Sequence, residues 1–104
     1  MSKLTPQEFK TICNPSDLIL RIRNEFEDSI RALAKKGCVS GSIHCSDAEA
    51  KYVLAALNEL GEYVESNLAY PQPPIKNEPF FFFYNVRGSF LRGWSVEFRF
   101  IEPE

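Results

Sequence analysis

The sequence predicts a single α+β domain, residues 1–104, in which two long helices and a short N-terminal helix pack on one face of a three-stranded, mainly antiparallel sheet. Three observations lead to this fold class. Residues 15–36 and 47–68 carry apolar residues at helical spacing. Residues 80–101 read as two strands around a glycine-bracketed turn. The length of 104 residues suits one domain, so the expected order is helix, helix, strand, helix, strand, strand.

Capping residues set the limits of the first two helices. Thr5 and Glu8 form a capping box that begins a short helix over about 6–12. Asn14 is a favourable N-cap for the long helix, and Gly37 is a favourable residue to end it. The two helices therefore follow each other almost directly.

A short strand and a third helix come next. Residues 38–45 alternate, with Val39 and Ile43 on one face and His44 on the other. A capping box then begins the helix over about 47–68. Because a strand, a long helix and a further strand imply a right-handed crossover, we expect the C-terminal strand in the middle of the sheet.

The last two strands form a hairpin whose register we predict from its apolar residues. Placing Phe82 opposite Phe98 gathers large apolar side chains of both strands on one face. The predicted inner face consists of Phe80, Phe82, Tyr84, Val86, Trp94, Val96, Phe98 and Phe100. A shift by one residue sets Glu97 and Arg99 opposite core residues, which a buried face disfavours.

Large apolar side chains remain outside this predicted core, and exposed apolar groups gathered together mark partner sites. The predicted partner-binding residues are Phe81, Phe83, Arg87, Glu97 and Arg99 on the outer sheet face, Phe90 and Leu91 at the hairpin tip, and Tyr52 and Tyr63 beside the apolar stripe of the third helix. An alternative is that the N-terminal segment around Phe9 and Ile12 folds over Phe81 and Phe83 and covers them.

Charge and cysteine content narrow the function classes. Twelve basic and 14 acidic residues give a net charge of −2, which argues against a strongly basic nucleic-acid binder. No apolar stretch approaches the ~20 residues of a membrane helix, and the first residues lack the apolar segment of a secretory signal. Three cysteines, an odd number, favour free thiols and a cytoplasmic location.

Patterns that bind metals or cofactors are absent from the sequence. Cys38 and His44 lie six residues apart on the predicted strand, about 20 Å, which is too far to share one ion. The five glycines lack the spacing of a phosphate-binding loop. We therefore expect no metal and no cofactor.

Contact with another macromolecule is the function that this sequence favours. We expect a non-enzymatic protein–protein interaction module, such as an inhibitor, an immunity-type protein or an accessory protein, or one that pairs with itself as a dimer. One alternative is single-stranded nucleic-acid binding through the open sheet face, with bases stacking on Phe81 or Phe83. Another is a small enzyme that uses Cys45 or His44, although neighbours on a strand point to opposite faces.

Overall fold

The computed structural model describes residues 3–12 and 14–103 and has the predicted α+β architecture. The elements are α1 (Pro6–Ile12), α2 (Pro15–Lys35), β1 (Ser40–Cys45), α3 (Ala50–Leu60), β2 (Glu62–Tyr63), β3 (Phe80–Ser89) and β4 (Gly93–Ile101). The sheet is open, with the order β1-β4-β3-β2. The C-terminal strand β4 therefore lies between two neighbours, as predicted, and it is antiparallel to both.

The fourth strand, β2, was not predicted, because α3 ends at Leu60 rather than near residue 68. Gly61 follows, and a side chain there would collide with the backbone carbonyl of Phe81. This close approach lets Glu62 and Tyr63 pair in parallel with β3. The chain therefore leaves the helix at this glycine and forms a two-residue strand, where two further helical turns were predicted.

The hairpin register differs by one residue from the predicted one, which was wrong. Phe82 lies opposite Arg99, and Phe83 lies opposite Phe98. The registry also shifts near Asn85, where β3 holds one extra residue in a bulge. Because β3 has aromatic residues at consecutive positions, its alternation does not identify the inner face.

The observed register sets polar residues of β4 opposite aromatic residues of β3 on the outer face. This pairing is tolerated because residues 64–79, here called the connector, cover that face. Phe82 and Tyr84 stack there with ring centroids 5.5 Å apart. The Arg99 guanidinium lies 5.4 Å from the Phe82 ring centroid and 5.2 Å from that of Tyr84. It also donates a hydrogen bond of 2.9 Å to the Pro71 carbonyl. Phe82 and Tyr84 are consequently buried on the side away from the helices.

The bulge in β3 binds the connector at a second place. Asn85 has φ 52°, in the left-handed region that asparagine tolerates better than most residues. Its amide nitrogen donates to the Glu97 carboxylate at 2.6 Å and to the Ala69 carbonyl at 3.3 Å. The extra residue of β3 therefore joins the hairpin to the connector.

The main core lies between the helices and the inner sheet face. Its buried members are Ile22, Phe26 and Ile30 of α2, Val53, Ala56 and Leu57 of α3, Ile43 and Cys45 of β1, Phe83 of β3, Val96 and Phe98 of β4, and Ala48. Trp94 packs at one end of this core, where its indole nitrogen donates to the Ala48 carbonyl at 2.7 Å. That bond ties β4 to the segment that leads into α3.

The short helix α1 stands apart from the core. All seven of its residues are described and none of them is buried; Phe9 is 56% exposed and Ile12 is 73% exposed. The molecule measures 60 × 30 × 26 Å and its radius of gyration is 16.0 Å, against about 13 Å for a compact chain of this length. The alternative in which this segment covers Phe81 and Phe83 is therefore wrong within one copy.

Candidate interaction surfaces

The predicted partner-binding pair on β3 lies on the inner face of the sheet. Phe83 is fully buried and faces Phe98. Phe81 is half-buried and packs against the same core, with its ring centroid 6.2 Å from that of Phe98. The expectation that both rings face away from the helices was wrong, because the register is shifted by one residue.

The polar members of the predicted site do lie on the outer face, but beside other aromatic residues. Arg99 lies over Phe82 and Tyr84 rather than over Phe81. Glu97 accepts the hydrogen bond from the bulge, and Arg87 is exposed. Arg99 thus binds the connector directly, whereas Glu97 holds the Asn85 side chain that binds it.

The remaining predicted residues divide between the core edge and the surface. Tyr52 and Tyr63 are half-buried and pack against the core. Phe90 and Leu91 are exposed at the hairpin tip, as expected from the sequence. The tip is the one predicted apolar surface that the described residues leave open to solvent.

His44 and Cys45 point to opposite sides of β1, as the alternation predicts. His44 is exposed on the outer face, whereas Cys45 is buried on the inner face. Burial, and next the nearby charge of Glu25, raise the pKa of the Cys45 thiol to about 11. The thiol is therefore protonated near neutral pH, which is the unreactive form.

The other cysteines and the possible metal ligands give no further site. Cys38 is a free, exposed cysteine, while Cys13 lies outside the described residues. Within residues 3–12 and 14–103, no three His, Cys, Asp or Glu side chains come together as metal ligands would. The same part of the chain contains no helix that is long and apolar enough to cross a membrane.

An apolar groove, which the sequence analysis missed, opens between α2 and the inner face of the sheet. We call it the α2–sheet groove; it has a volume of about 270 Å³ and is lined by Ile30, Ala34, Gly37, Cys38, Val39, Phe81, Phe98 and Phe100. A second hollow of about 260 Å³, which also contains Ile30 and Phe81, extends it toward Leu60. The two hollows form one apolar depression.

The groove lies beside α2 and is not a gap left by α3. α3 ends at Leu60, and the next residue, Gly61, already contacts the backbone of Phe81. The register of β3 brings Phe81 to the inner face, next to Phe98 and Phe100, where the C-terminal part of α2 does not cover these rings completely. The sequence analysis placed Phe81 on the outer face, so it gave no signal for this opening.

The rim of the groove is charged. Glu27 and Arg31, which line the hollow toward Leu60, form an ion pair of 3.4 Å. At the other end, Lys35 closes α2 next to the groove residue Gly37. Apolar walls with a polar rim are the usual anatomy of a protein-binding surface.

A polar cavity of about 290 Å³ lies at the bulge, and Arg87 and Glu65 line it. The Asn85 amide, which also lines it, already donates to Glu97 and Ala69. Glu65 and Arg87 are both exposed, so this cavity is a solvated hollow at the surface and not an enclosed ligand site.

No family model, curated protein or solved structure matches this chain.

Proposed function

We propose that this protein is a non-enzymatic protein–protein interaction module that binds apolar side chains of a partner in the α2–sheet groove. The observation that supports the proposal is the set of three phenylalanine rings, Phe81, Phe98 and Phe100, at the open end of the inner sheet face. Roles of this kind include an inhibitor, an immunity-type protein and an accessory protein. The reducing cytoplasm is the proposed location, since Cys38 and Cys45 are free thiols.

The size of the groove suits two or three apolar side chains on one face of a short helix. Each such side chain contributes about 1.5–3 kcal/mol when it is fully buried. Ordering the partner segment costs part of this free energy. A single groove therefore favours a moderate affinity, which suits a regulatory or accessory contact.

The two alternative functions have less support. Base stacking on Phe81 or Phe83 requires exposed rings, and Phe83 is fully buried while Phe81 is half-buried. Nucleophilic chemistry at Cys45 requires a thiolate, and its raised pKa disfavours one. Neither hypothesis gains an observation from the described residues.

The experiment compares two aspartate variants of adjacent residues. Val39 is 65% exposed and lines the groove, so Val39→Asp places a charge in the groove without disturbing the core. Ser40→Asp is the matched control, because Ser40 is exposed on the outer face opposite Arg99. Both variants and the parent chain are used to capture proteins from the native host, with quantitative mass spectrometry and a thermal melt for each.

We expect a specific set of proteins, or the chain itself, to be captured by the parent and by Ser40→Asp. Binding to Val39→Asp should be at least about tenfold weaker, because an unpaired carboxylate would be buried in the contact. Equal capture by all three folded proteins would overturn the proposed use of the groove.

A further inference from the structure

We infer that the α2–sheet groove receives the α1 arm of a second copy of this chain, so that two copies exchange arms in a symmetric dimer. The α1 arm is residues 3–12. This inference rests on the proposed function of the groove and names its occupant.

The apolar side chains of α1 do not reach the groove of their own chain. Ile30 lies 15 residues beyond the start of α2 at Pro15, a distance of about 22 Å along the helix. Phe9 and Ile12 lie within six residues of Pro15, so an arm folded back along α2 would hold them within about 9 Å of Pro15, more than two turns short of Ile30. A second molecule can bring these side chains to the groove.

The arm carries an apolar face that has no cover in one copy. Phe9 and Ile12 are three residues apart, so they lie on the same side of α1. Leu4, just before the helix, is exposed as well. A seven-residue helix is marginal by itself, and burial of this face is what stabilises such a helix.

Charges at the groove do not oppose this contact. Glu27, at the end toward Leu60, is already paired with Arg23 and Arg31. The arm carries Lys3, Glu8 and Lys10, a mixture of both signs. The apolar side chains of the arm, rather than its charges, therefore fit the groove.

The buried area matches a weak dimer. Symmetric exchange places two arms, with Leu4, Phe9 and Ile12 on each, in two grooves. At roughly 100 Å² for each of these side chains and an equal area from the grooves, the total is about 1,200 Å², the lower end of the range for specific interfaces. We therefore expect a dimer with a dissociation constant in the micromolar range.

The first experiment measures molecular mass by light scattering and sedimentation from about 5 to about 500 μM, a range that brackets micromolar association. The parent mass should rise from 11.9 kDa toward twice that value. The arm variant Phe9→Ser with Ile12→Ser and the groove variant Val39→Asp should each stay monomeric. The control Leu68→Ser with Tyr70→Ser removes an equally exposed apolar pair of the connector and should associate like the parent.

The second experiment mixes the arm variant with the groove variant. A heterodimer of the two has one intact contact, an arm from the groove variant in the groove of the arm variant. We expect the mixture to regain partial association at high concentration although neither variant associates alone. Because one contact of two remains, this association belongs at about millimolar concentration. A mixture that associates no more than either variant alone at that concentration would contradict arm exchange.

The results separate this inference from the proposed function. A parent that is monomeric at every concentration, or an arm variant that still dimerises, overturns the arm as occupant. If Val39→Asp then still loses captured host proteins, the groove keeps its proposed function with a different occupant. If that capture is also unchanged, the proposed function is wrong as well.

Discussion

At the scale of single residues, Cys45 shows how packing sets the chemistry of a side chain. Its neighbour His44 is exposed, but the strand turns the thiol inward, beside the carboxylate of Glu25. That carboxylate accepts a hydrogen bond of 3.0 Å from the Ser46 hydroxyl, which holds α2 against the end of β1. His44 and Cys45 are thus neighbours in the sequence but lie in different environments, one in solvent and one in the core.

Cys45 should resist alkylation and make stability depend on pH. The folded state raises its pKa from 9.0 to about 11, so the folded protein keeps a proton that the unfolded chain releases. The contribution of this proton to the free energy of unfolding should therefore be fully present below about pH 9 and should be lost as the pH rises toward 11. Iodoacetamide labelling at pH 8, read by peptide mass spectrometry, should modify Cys38 long before Cys45. Comparable labelling of the two thiols in folded protein would contradict this prediction.

Phe83 should be essential for folding. It is fully buried in the core, so Phe83→Ala should cost about 3–5 kcal/mol, much of the stability of a chain this small. Phe90→Ala, at the exposed hairpin tip, should stay within about 0.5 kcal/mol of the parent. Denaturant unfolding of both variants measures the difference; a stable Phe83→Ala variant would contradict the observed register.

At the scale of elements, the sequence predicted the limits and positions of helices and strands correctly where a single capping or topological pattern applied. The limits of α1 and α2 follow from Thr5, Asn14 and their neighbours, and the position of β4 follows from crossover geometry. The register did not follow, because four consecutive phenylalanines begin β3 and give both faces the same apolar character. The faces were decided by the connector, through the bonds of Arg99 and Asn85, and such long-range partners leave no local signal.

The candidate site was harder to predict than the fold for a related reason. Phe81 was one of the predicted partner-binding residues, but it was placed on the wrong face. The groove beside it depends on the register of β3, which brings Phe81 to the inner face next to Phe98 and Phe100. The early end of α3 is a separate tertiary effect, because Gly61 contacts a strand 20 residues later in the chain although residues up to Leu68 retain helical periodicity.

Gly61→Ala should destabilise the junction of α3 and β2. The added methyl group would collide with the Phe81 carbonyl, so β2 must move away from β3, at a cost of about 1–3 kcal/mol. Asn58→Ala, on the exposed face of α3, is the control and should be neutral or slightly stabilising. Equal midpoints for the two variants in urea unfolding would show that the contact does not restrict residue 61.

At the scale of the whole molecule, a packed body and a separate arm have different roles. The body contains the core and the sheet, whereas α1 buries none of its residues. The arm therefore contributes little to the stability of one copy. Under the proposed exchange, its contribution appears only when a second copy is present.

Thermal stability should consequently depend on protein concentration. Association of folded chains raises the melting temperature by mass action, so Tm of the parent should rise with concentration. A chain lacking residues 1–12 should have a Tm that is independent of concentration and equal to that of the parent at high dilution. Calorimetry over a hundredfold concentration range checks both expectations. A Tm that falls on truncation even at high dilution would mean that the arm stabilises a single copy.

The aromatic run that begins β3 has a consequence for the unfolded chain. Phe80 to Tyr84 are five successive aromatic residues without a charge, a composition that promotes fibril formation when a segment is extended and accessible. The folded protein encloses these residues between β4, β2 and the connector, and Pro79 immediately precedes them as a gatekeeper. Heating or denaturing this chain releases the segment, so we expect refolding yield to fall steeply with protein concentration. The lifetime of the folded protein in solution will then be governed by the rate at which β3 separates from the sheet, since each separation exposes an aggregation-prone strand to other molecules.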